Sequence, residues 1–358
     1  MNKVQLDKLS LVDFRNIEQL SFKPGSRFNV ISGKNGMGKT NFIEAVYLLG
    51  SLRSFRTSVR RELVRHEQAA ARVVGVFGQA SAGKTCEITI DKEGRRVRVD
   101  GKLAGVEGDH FRSLPMVLFH PGNMELVQGG PEARRRFMDR ALFQAELSYP
   151  ELHRSYNRAL SSRNKLLKDR SPDMRSINPF DAQLAQLGAK IMENRADLIT
   201  KMRPLFEETV TEVSGGNIAN LVYKPKVEGG SEELAAALAA AFPKDFERGF
   251  TSVGPHADDI IFKIDKQRAR KFASQGQQRT LVLALKIAET KALAKSTGKM
   301  PLLLLDDISS ELDRDRNSKM FEFLNTVAGQ VFITTTHLDH IPLTDQRCDF
   351  KVENGRIT

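Results

Sequence analysis

The residues with the clearest chemical potential form a glycine-rich segment, Gly33-Lys34-Asn35-Gly36-Met37-Gly38-Lys39-Thr40. Its spacing, GxxxxGK[ST], is that of a phosphate-binding loop, and it lies between a short apolar run and a stretch with helical spacing of apolar residues. Glycines let backbone N–H groups close around phosphate oxygens, and a helix N-terminus adds partial positive charge. In such a loop Lys39 contacts the β- and γ-phosphates, and the Thr40 hydroxyl binds Mg²⁺. The flanking elements favour an ATP and Mg²⁺ site over a simple glycine-rich turn.

Two carboxylates follow an apolar run that is typical of a buried strand. Leu302–Leu305 end in Asp306 and Asp307, the position where a nucleotide-binding sheet carries a Mg²⁺-binding acid. Alone, such a pair would more often form a turn or a helix cap, but with the phosphate loop it predicts a metal ligand, Asp306. Asp307 is then the candidate to orient or deprotonate the attacking water. His337 follows another apolar run at 331–335 and is a second candidate contact to the γ-phosphate or the water, although a lone histidine is usually structural.

A second polar, glycine-containing turn precedes a long helical stretch. It reads Ser274-Gln275-Gly276-Gln277-Gln278-Arg279, and a helix start of this kind presents backbone N–H groups and a favourable dipole to an anion. An ordinary helix cap is the alternative. If two subunits meet head to tail, Ser274 and Gly276 of one subunit contact the ATP of the other, so the motif predicts an ATP-dependent homodimer.

The order of these elements predicts an α/β fold. Residues 301–305 and 331–335 are apolar runs of the kind found inside parallel sheets, whereas 71–77, 86–90 and 96–99 suggest an antiparallel meander. The stretch after residue 130 is rich in Arg, Leu and Ala and has helical periodicity. We therefore expect one ATPase domain made of 1–130 and 250–358, with a mainly helical domain, 131–249, inserted between its halves.

The charge composition leaves two interpretations open: an anionic partner, or simply a basic and soluble surface. The 55 Lys and Arg residues exceed the 44 Asp and Glu residues, which gives a net charge of +11 and favours binding to a polyanion such as DNA. The candidate contacts lie in 51–65 and 131–170, with the first segment the stronger candidate because it follows the predicted loop helix. The cations are Arg53, Arg56, Arg60, Arg61 and Arg65, and Arg134, Arg135, Arg136, Arg140, Arg154, Arg158, Arg163, Lys165, Lys168 and Arg170.

The same composition argues for a cytoplasmic protein that binds DNA without reading its sequence. The chain has two isolated cysteines, Cys86 and Cys348, no tryptophan and four tyrosines. Lone cysteines indicate a reducing compartment rather than a disulfide framework, and no apolar run is long enough to span a bilayer. With no tryptophan and little clustered tyrosine for base stacking, we expect contacts to the DNA backbone and a steep dependence on salt.

The order of motifs resembles the ABC-type ATPase heads of the SMC-like DNA-repair proteins, and within them the RecF family. The likeness covers essentially the whole chain. It is carried by the phosphate loop, SQGQQR, Asp306-Asp307, Ser310–Asp313 and His337, with Phe14-Arg15-Asn16, Gly129-Gly130-Pro131, Arg135–Asp139 and Gly254–Asp259. The inserted segment is too short for the coiled coils of SMC proteins, and it lacks the CxxC of the zinc-hook ATPase.

This resemblance implies an ABC-type head with a mixed sheet around the phosphate loop. It also implies a recombination mediator that acts at single-strand gaps in DNA repair and replication restart, including the SOS response, with RecR and RecO as partners. The ATPase would be weak and DNA-stimulated, with hydrolysis used as a conformational switch. Asp307 stands where transporter heads carry the longer Glu, which predicts slow turnover.

The sequence departs from the family pattern at three places. Gly122 and Asn123 follow Pro121 where the family has an acidic residue, Ala257 replaces an arginine, and Ile17 replaces an aromatic residue. Two other functions remain open: an ABC transporter-type subunit, which the basic helical insert argues against, and a structural protein that binds nucleotide passively.

Overall fold

The computed structural model describes residues 2–78, 83–103, 107–169, 174–307, 313–326, 329–353 and 355–357. The chain folds into two units: the first joins Met1–Asn123 to Glu289–Thr358, and the second is Met124–Ala288. Among the helices in these ranges, none is both long enough and apolar enough to cross a membrane.

The described strands and helices follow one another mostly in blocks along the chain. The strands are β1 (Asn2–Lys3), β2 (Leu6–Phe14), β3 (Ile17–Phe22), β4 (Phe28–Ser32), β5 (Ala70–Phe77), β6 (Lys84–Asp91), β7 (Arg95–Val99), β8 (Lys102–Leu103), β9 (Met116–Phe119), β10 (Ala219–Lys224), β11 (Asp259–Ile264), β12 (Gln267–Arg268), β13 (Lys299–Met300), β14 (Leu302–Asp306), β15 (Val331–Thr335), β16 (Arg347–Glu353) and β17 (Arg356–Ile357). The helices are α1 (Lys39–Ser51), α2 (Glu107–Ser113), α3 (Glu125–Gln128), α4 (Pro131–Ala145), α5 (Tyr149–Lys168), α6 (Met174–Ser214), α7 (Ser231–Arg248), α8 (Ala269–Phe272), α9 (Gln275–Thr297) and α10 (Arg314–Thr326).

The first unit is built around a mixed sheet in the order β17-β16-β4-β15-β14-β9. Strands β16, β4, β15, β14 and β9 run parallel to one another, and β17 pairs antiparallel with β16. The residues of β14 and β15 are all buried, as expected for central parallel strands covered on both faces. The runs at 301–305 and 331–335 therefore form the predicted parallel strands.

A second sheet in the same unit is antiparallel, in the order β3-β2-β5-β6-β7-β8. It contains the predicted meander as β5, β6 and β7. Helix α1 contacts β14 and β15 of the mixed sheet as well as β2 and β5 of the antiparallel sheet, so it lies between the two. Ten of its residues are buried, which explains why its apolar pattern is nearly continuous rather than confined to one face.

The second unit combines helices α4 to α7 with a small antiparallel sheet, β10-β11-β12. Its limits differ from the inserted segment expected from sequence, which ran from 131 to 249. Strand β11 pairs along its whole length with β10, so the chain beyond 249 belongs with the preceding helices. At the other end, Arg134 donates to the carbonyls of Leu126 and Gly129. We therefore propose Met124–Ala288 as the inserted domain.

Candidate nucleotide-binding site

Four parallel strands of the mixed sheet end at the same edge. The registers Ser32 with Thr335, Asp306 with Thr334, and Leu305 with Phe119 align the ends of β4, β15, β14 and β9. The phosphate loop follows β4, Asp306 ends β14, His337 lies two residues beyond β15, and His120 follows β9. Open parallel sheets bind ligands outside the carboxyl ends of their strands, so the predicted catalytic residues meet at the edge where a nucleotide would bind.

The loop itself has the backbone conformation that its glycines permit. Gly36 and Gly38 have φ angles of 82° and 108°, which other residues rarely adopt, and Gly38 precedes the first residue of α1. Lys39 Nζ donates to the carbonyl oxygens of Gly33 (2.6 Å) and Lys34 (3.1 Å), so the ammonium lies against the loop. Burial lowers the pKa of Lys39, while Asp307 and Asp306 oppose that shift.

The C-terminal hairpin of the first unit supports this loop from outside. The Gly355 N–H donates to the Met37 carbonyl at 3.1 Å. A Cβ on Gly33 would lie 2.6 Å from the carbonyl oxygen of Val352 in β16, so only glycine fits there. Lys34 and Asn35 at the tip of the loop are exposed.

Thr40 and Asp306 are brought together although 266 residues separate them in sequence. The Thr40 hydroxyl donates to Asp306 Oδ1 at 3.0 Å, and the Thr334 hydroxyl donates to the same oxygen at 2.9 Å. Burial raises the pKa of Asp306, the two hydroxyl hydrogen bonds oppose this, and neighbouring Asp307 adds to it. A hydroxyl and a carboxylate at this distance fit the hard oxygen ligands that Mg²⁺ prefers, with phosphate oxygens and water completing its coordination.

Asp307 and His337 occupy turns that directly follow the central strands. Asp307 has a φ of 49°, and its N–H donates to the Thr334 hydroxyl at 3.0 Å. His337 is exposed; its N–H donates to the Thr335 hydroxyl (3.1 Å), which in turn donates to the His337 carbonyl (2.9 Å). These turns hold both residues at the edge of the sheet, beyond the strand ends.

A buried ion pair anchors α1, and sequence reasoning assigned it no role. Arg15, in the turn between β2 and β3, donates from Nε and Nη2 to the two carboxylate oxygens of Glu44 at 2.9 and 2.7 Å. Glu44 is fully buried and also accepts from the Ser54 hydroxyl at 2.5 Å. Next to Arg15, Asn16 accepts from the Asn41 side chain at 2.7 Å. Phe14-Arg15-Asn16 thus fixes the helix that begins at the phosphate loop.

Several arginines of the basic segment 51–65 make hydrogen bonds or ion pairs within the chain. Arg56 donates to Asn41 (2.7 Å) and to Glu44 (3.4 Å), and Arg65 pairs with Asp13 and Glu18 at 3.3 Å each. Arg61 donates to the Gln68 carbonyl. Arg53, Arg60 and Arg61 are exposed and pair with no acidic side chain among the described residues, so these three remain candidates for contacts outside the chain.

Ser274 and Gly276 lie at the start of α9, in the second unit. The Ser274 hydroxyl accepts from the Gln277 N–H at 3.2 Å, and the Gln277 side chain accepts from the Ser274 N–H at 2.8 Å. This is a capping box, with serine at the cap and glutamine three residues later. The ordinary helix cap, the alternative interpretation of this motif, is therefore present, and Ser274 remains exposed. Of the motif Ser310–Asp313, residues 310–312 lie outside the described residues, as does Arg170 of the second basic segment.

Two further motifs of the resemblance form a buried network within the second unit. Arg195 donates to Asp139 (2.8 Å) and to Asp258 (3.3 Å), and Tyr223 donates to Asp258 at 2.5 Å. Burial acts to raise the pKa of Asp139, but Arg195 and His153 outweigh it and lower the pKa to about 2. These side chains are therefore committed to packing within this unit.

Near Pro121, where the sequence departs from the family pattern, the chain forms a tight turn. Asn123 is buried, and its side chain accepts from the His120 N–H at 3.0 Å, while the His120 ring lies 5.0 Å from that of Phe55. Because Leu305 pairs with Phe119, His120 lies beside Asp306 in the register. Sequence reasoning missed this histidine, since only the strand pairing places it at the site.

Comparison with known proteins agrees with this arrangement. The model of the RecF/RecN/SMC N-terminal domain matches residues 5–358. A "DNA replication and repair protein RecF" from Citrifermentans bemidjiense is 38% identical over 99% of this chain and 100% of its own length. The chain belongs to the RecF family.

Solved structures extend the likeness to three dimensions. A structure of "the recombination mediator protein RecF-ATP in RecFOR pathway" has a TM-score of 0.92 and 30% identity, over 99% of this chain and 97% of that one. An Smc head bound to the C-winged helix domain of ScpA has a TM-score of 0.58 at 16% identity, over 99% of this chain and 96% of that one. The prediction of an ABC-type head in this RecF family member is confirmed.

The ion pair between Arg15 and Glu44 gives the first prediction. Arg15→Ala should destabilise the protein by about 3 kcal/mol, because it leaves a buried carboxylate without its main partner. Adding Glu44→Gln should recover part of the stability by removing the buried charge. Urea unfolding followed by circular dichroism measures both effects.

The matched control is Arg72→Ala, which removes an exposed pair with Glu87 and should cost less than about 1 kcal/mol. If Arg15→Ala is no more destabilising than this control, the pair does not anchor α1.

Proposed function

We propose that this protein is an ATP-dependent, DNA-binding recombination mediator whose nucleotide site is formed by the loop Gly33–Thr40 and by Asp306. The observation that carries the proposal is the Thr40–Asp306 hydrogen bond of 3.0 Å beside the buried Lys39. Family membership supports it, because relatives carry the name "DNA replication and repair protein RecF" and one solved relative holds ATP.

ATP binding would use groups that the fold already holds in place. The backbone of the loop curves through Gly36 and Gly38 ahead of α1, so its N–H groups and the helix N-terminus favour phosphate oxygens. Lys39 would exchange its two carbonyl partners for the β- and γ-phosphates. Since burial disfavours its charged form and lowers its pKa, a nearby polyanion stabilises the ammonium and is stabilised by it.

Mg²⁺ would be held by Thr40 and Asp306. When bound there, it neutralises charge on the β- and γ-phosphates. Asp306 is prepared for this role because two hydroxyl groups orient the same oxygen, Oδ1.

Hydrolysis would depend on Asp307, with His337 as a second contact. Asp307 directly follows the metal-binding position and is held by its N–H bond to Thr334, so its carboxylate is the candidate to orient and deprotonate the attacking water. Asp is one methylene shorter than the Glu of transporter-type heads, which supports slow turnover; stimulation of that turnover by DNA is part of the proposal. His337, exposed beyond β15, would contact the γ-phosphate or the water.

Two subunits would close around two ATP molecules. Ser274 is exposed at the start of α9, and the capping box leaves the first two N–H groups of that helix pointing out from its N-terminus. In a head-to-tail dimer, Ser274 and Gly276 of one subunit would bind the γ-phosphate held by the other. ATP binding would close the dimer and hydrolysis would reopen it, so turnover acts as a timer.

The DNA would be bound through its backbone at single-strand gaps during repair and replication restart. Net charge of +11 and the absence of tryptophan support sequence-independent binding. RecO and RecR are the proposed partners, because the solved relative is described within the RecFOR pathway. A protein with these partners would act in the cytoplasm.

The loop assignment predicts that Lys39→Ala weakens ATP binding by about 100-fold, since it removes a charge-assisted hydrogen bond to the phosphates. Lys23→Ala is the matched control, because this side chain is exposed and lies outside the loop. Titration with a fluorescent ATP analogue compares the two variants. Equal affinities would contradict the loop assignment.

The role of Asp307 predicts a split between binding and turnover. Asp307→Asn should keep ATP affinity, because Lys39, Thr40 and Asp306 remain, but should lower the steady-state ATPase rate by at least about 100-fold and accumulate the dimer. Asp315→Asn, an exposed acid at the start of α10, is the control. Normal hydrolysis by Asp307→Asn would transfer water activation to another residue, with His337 tested next. A parent protein without any turnover would instead favour passive nucleotide binding.

The composite site predicts complementation between two inactive variants. Ser274→Arg should bind ATP as a monomer but neither dimerise nor hydrolyse it, because the added bulk occupies the position of the partner's γ-phosphate. Mixed one to one with Lys39→Ala, it should regain up to about half of parental activity, because neither variant forms an ATP-dependent dimer with itself and each mixed dimer has one intact site of two.

Ser274→Ala is the control for the capping box, since it removes the cap, worth about 1 kcal/mol, without adding bulk. Light scattering with ADP and ATP follows dimerisation. No recovery at any mixing ratio, with both variants folded, would argue against sites shared between subunits.

A further inference from the structure

Helix α5 carries a row of basic residues along one exposed face. Arg154, Arg158, Lys165 and Lys168 are exposed, and with exposed Ser161 they follow the spacing 4, 3, 4, 3. Residues with this spacing lie on a single helix face. We call these four cations the α5 stripe. From Arg154 to Lys168 it extends about 21 Å, at about 1.5 Å per residue.

The opposite face of the helix fixes the orientation of the stripe. Tyr156, Ala159, Arg163 and Leu167 are buried, and Arg163 pairs with Asp245 at 2.9 Å and with Asp181 at 2.5 Å. Because one face is held by packing and buried ion pairs, the helix cannot rotate to hide the stripe.

Most cations of the α5 stripe are not paired with an acidic side chain among the described residues. Within the described residues, Arg158, Lys165 and Lys168 have no acidic side chain within 4 Å, whereas Arg154 pairs with Glu151 at 2.7 Å. Other cations of the same basic segment are committed: Arg134 pairs with Asp259 at 2.6 Å, and Arg136 pairs with Glu132. The exposed acid nearest the row in sequence is Asp169.

The surface along the stripe also offers neutral hydrogen-bonding groups. A shallow groove is lined by Asn157, Leu160, Ser161, Asn164, Lys165 and Lys168. Amide and hydroxyl groups between cations are the usual protein contacts to phosphate oxygens. No large apolar side chain among the described α5 residues is exposed, and protein interfaces normally need such anchors at their centre.

We infer that the α5 stripe binds the phosphate backbone of duplex DNA. This rests on the DNA binding proposed above and assigns a surface to it that lies within the second unit. A straight, rigid row of about 21 Å matches a stiff polyanion, since the same length of duplex presents about six phosphates on each strand. The contacts carry no sequence information, because long cations on a helix surface meet phosphates and not base edges.

The test compares two variants with equal net charge. The stripe variant is Arg158→Gln with Lys165→Gln and Lys168→Gln; glutamine keeps helix propensity close to that of lysine and arginine. The control variant is Lys190→Gln with Lys201→Gln and Lys244→Gln, which neutralises three exposed lysines on α6 and α7. The full chain is titrated with a fluorescently labelled duplex of about 30 base pairs, with ATP, at several salt concentrations.

If the stripe binds phosphates, the slope of log affinity against log salt should fall by about 0.9 for each cation that no longer neutralises a phosphate, about 2.7 in total. Affinity near physiological salt should fall by about tenfold or more, and the control variant should bind like the parent. Equal slopes for the stripe and control variants, with a parent that binds tightly, would overturn this assignment alone. A parent that does not bind the duplex would instead contradict the DNA-binding proposal and this inference with it. Thermal unfolding verifies that both variants are folded.

Discussion

The burial of α1 between two sheets is the constraint on which the nucleotide site depends. A helix covered on both sides must either be apolar all round or neutralise its polar groups, and α1 carries Glu44 at a fully buried position. The bidentate contact from Arg15 resolves this conflict, because a buried carboxylate without a partner would be costly. Arg15 reaches it from the turn after β2, where its own φ is 56°. The antiparallel sheet therefore fixes the helix, and the helix fixes the phosphate loop.

The second unit also pairs buried charges with one another, so the number of basic residues in a segment does not show how many of them can contact DNA. Arg134, Arg163 and Arg195 are among its buried side chains, and each meets a carboxylate. Composition made Arg134 and Arg163 possible DNA contacts, since a cation inside a protein and a cation on its surface look alike in a sequence. Within α5, the helical periodicity separates buried cations from exposed ones. Arg163 falls on the buried face, and Arg158 and Lys165 fall on the exposed face.

The parts of the site that could be predicted are those encoded by neighbouring residues. The loop Gly33–Thr40 has its glycines, lysine and threonine in one segment, and four leucines before Asp306 and Asp307 indicate the buried strand that these acids follow. Partners far apart in sequence could not be predicted in this way. Arg15 and Glu44 are 29 residues apart, and the limits of the inserted domain depend on β10 pairing with β11 beyond helix α7. The capping box at Ser274 is an intermediate case, because its Ser-x-x-Gln spacing is visible in the sequence.

The electrostatics of the site also explain why a cation should accompany the nucleotide. Asp306 and Asp307 lie close enough to Lys39 to raise its pKa against the effect of burial, and Asp307 helps to raise the pKa of Asp306. One lysine facing two carboxylates leaves the site unfavourable for a tri- or tetra-anionic phosphate chain. The two hydroxyl groups on Asp306 Oδ1 can orient that carboxylate but cannot neutralise it. A divalent cation between Thr40 and Asp306 would offset this repulsion, and under the proposed function the acidic strand end would then make ATP binding depend on the metal.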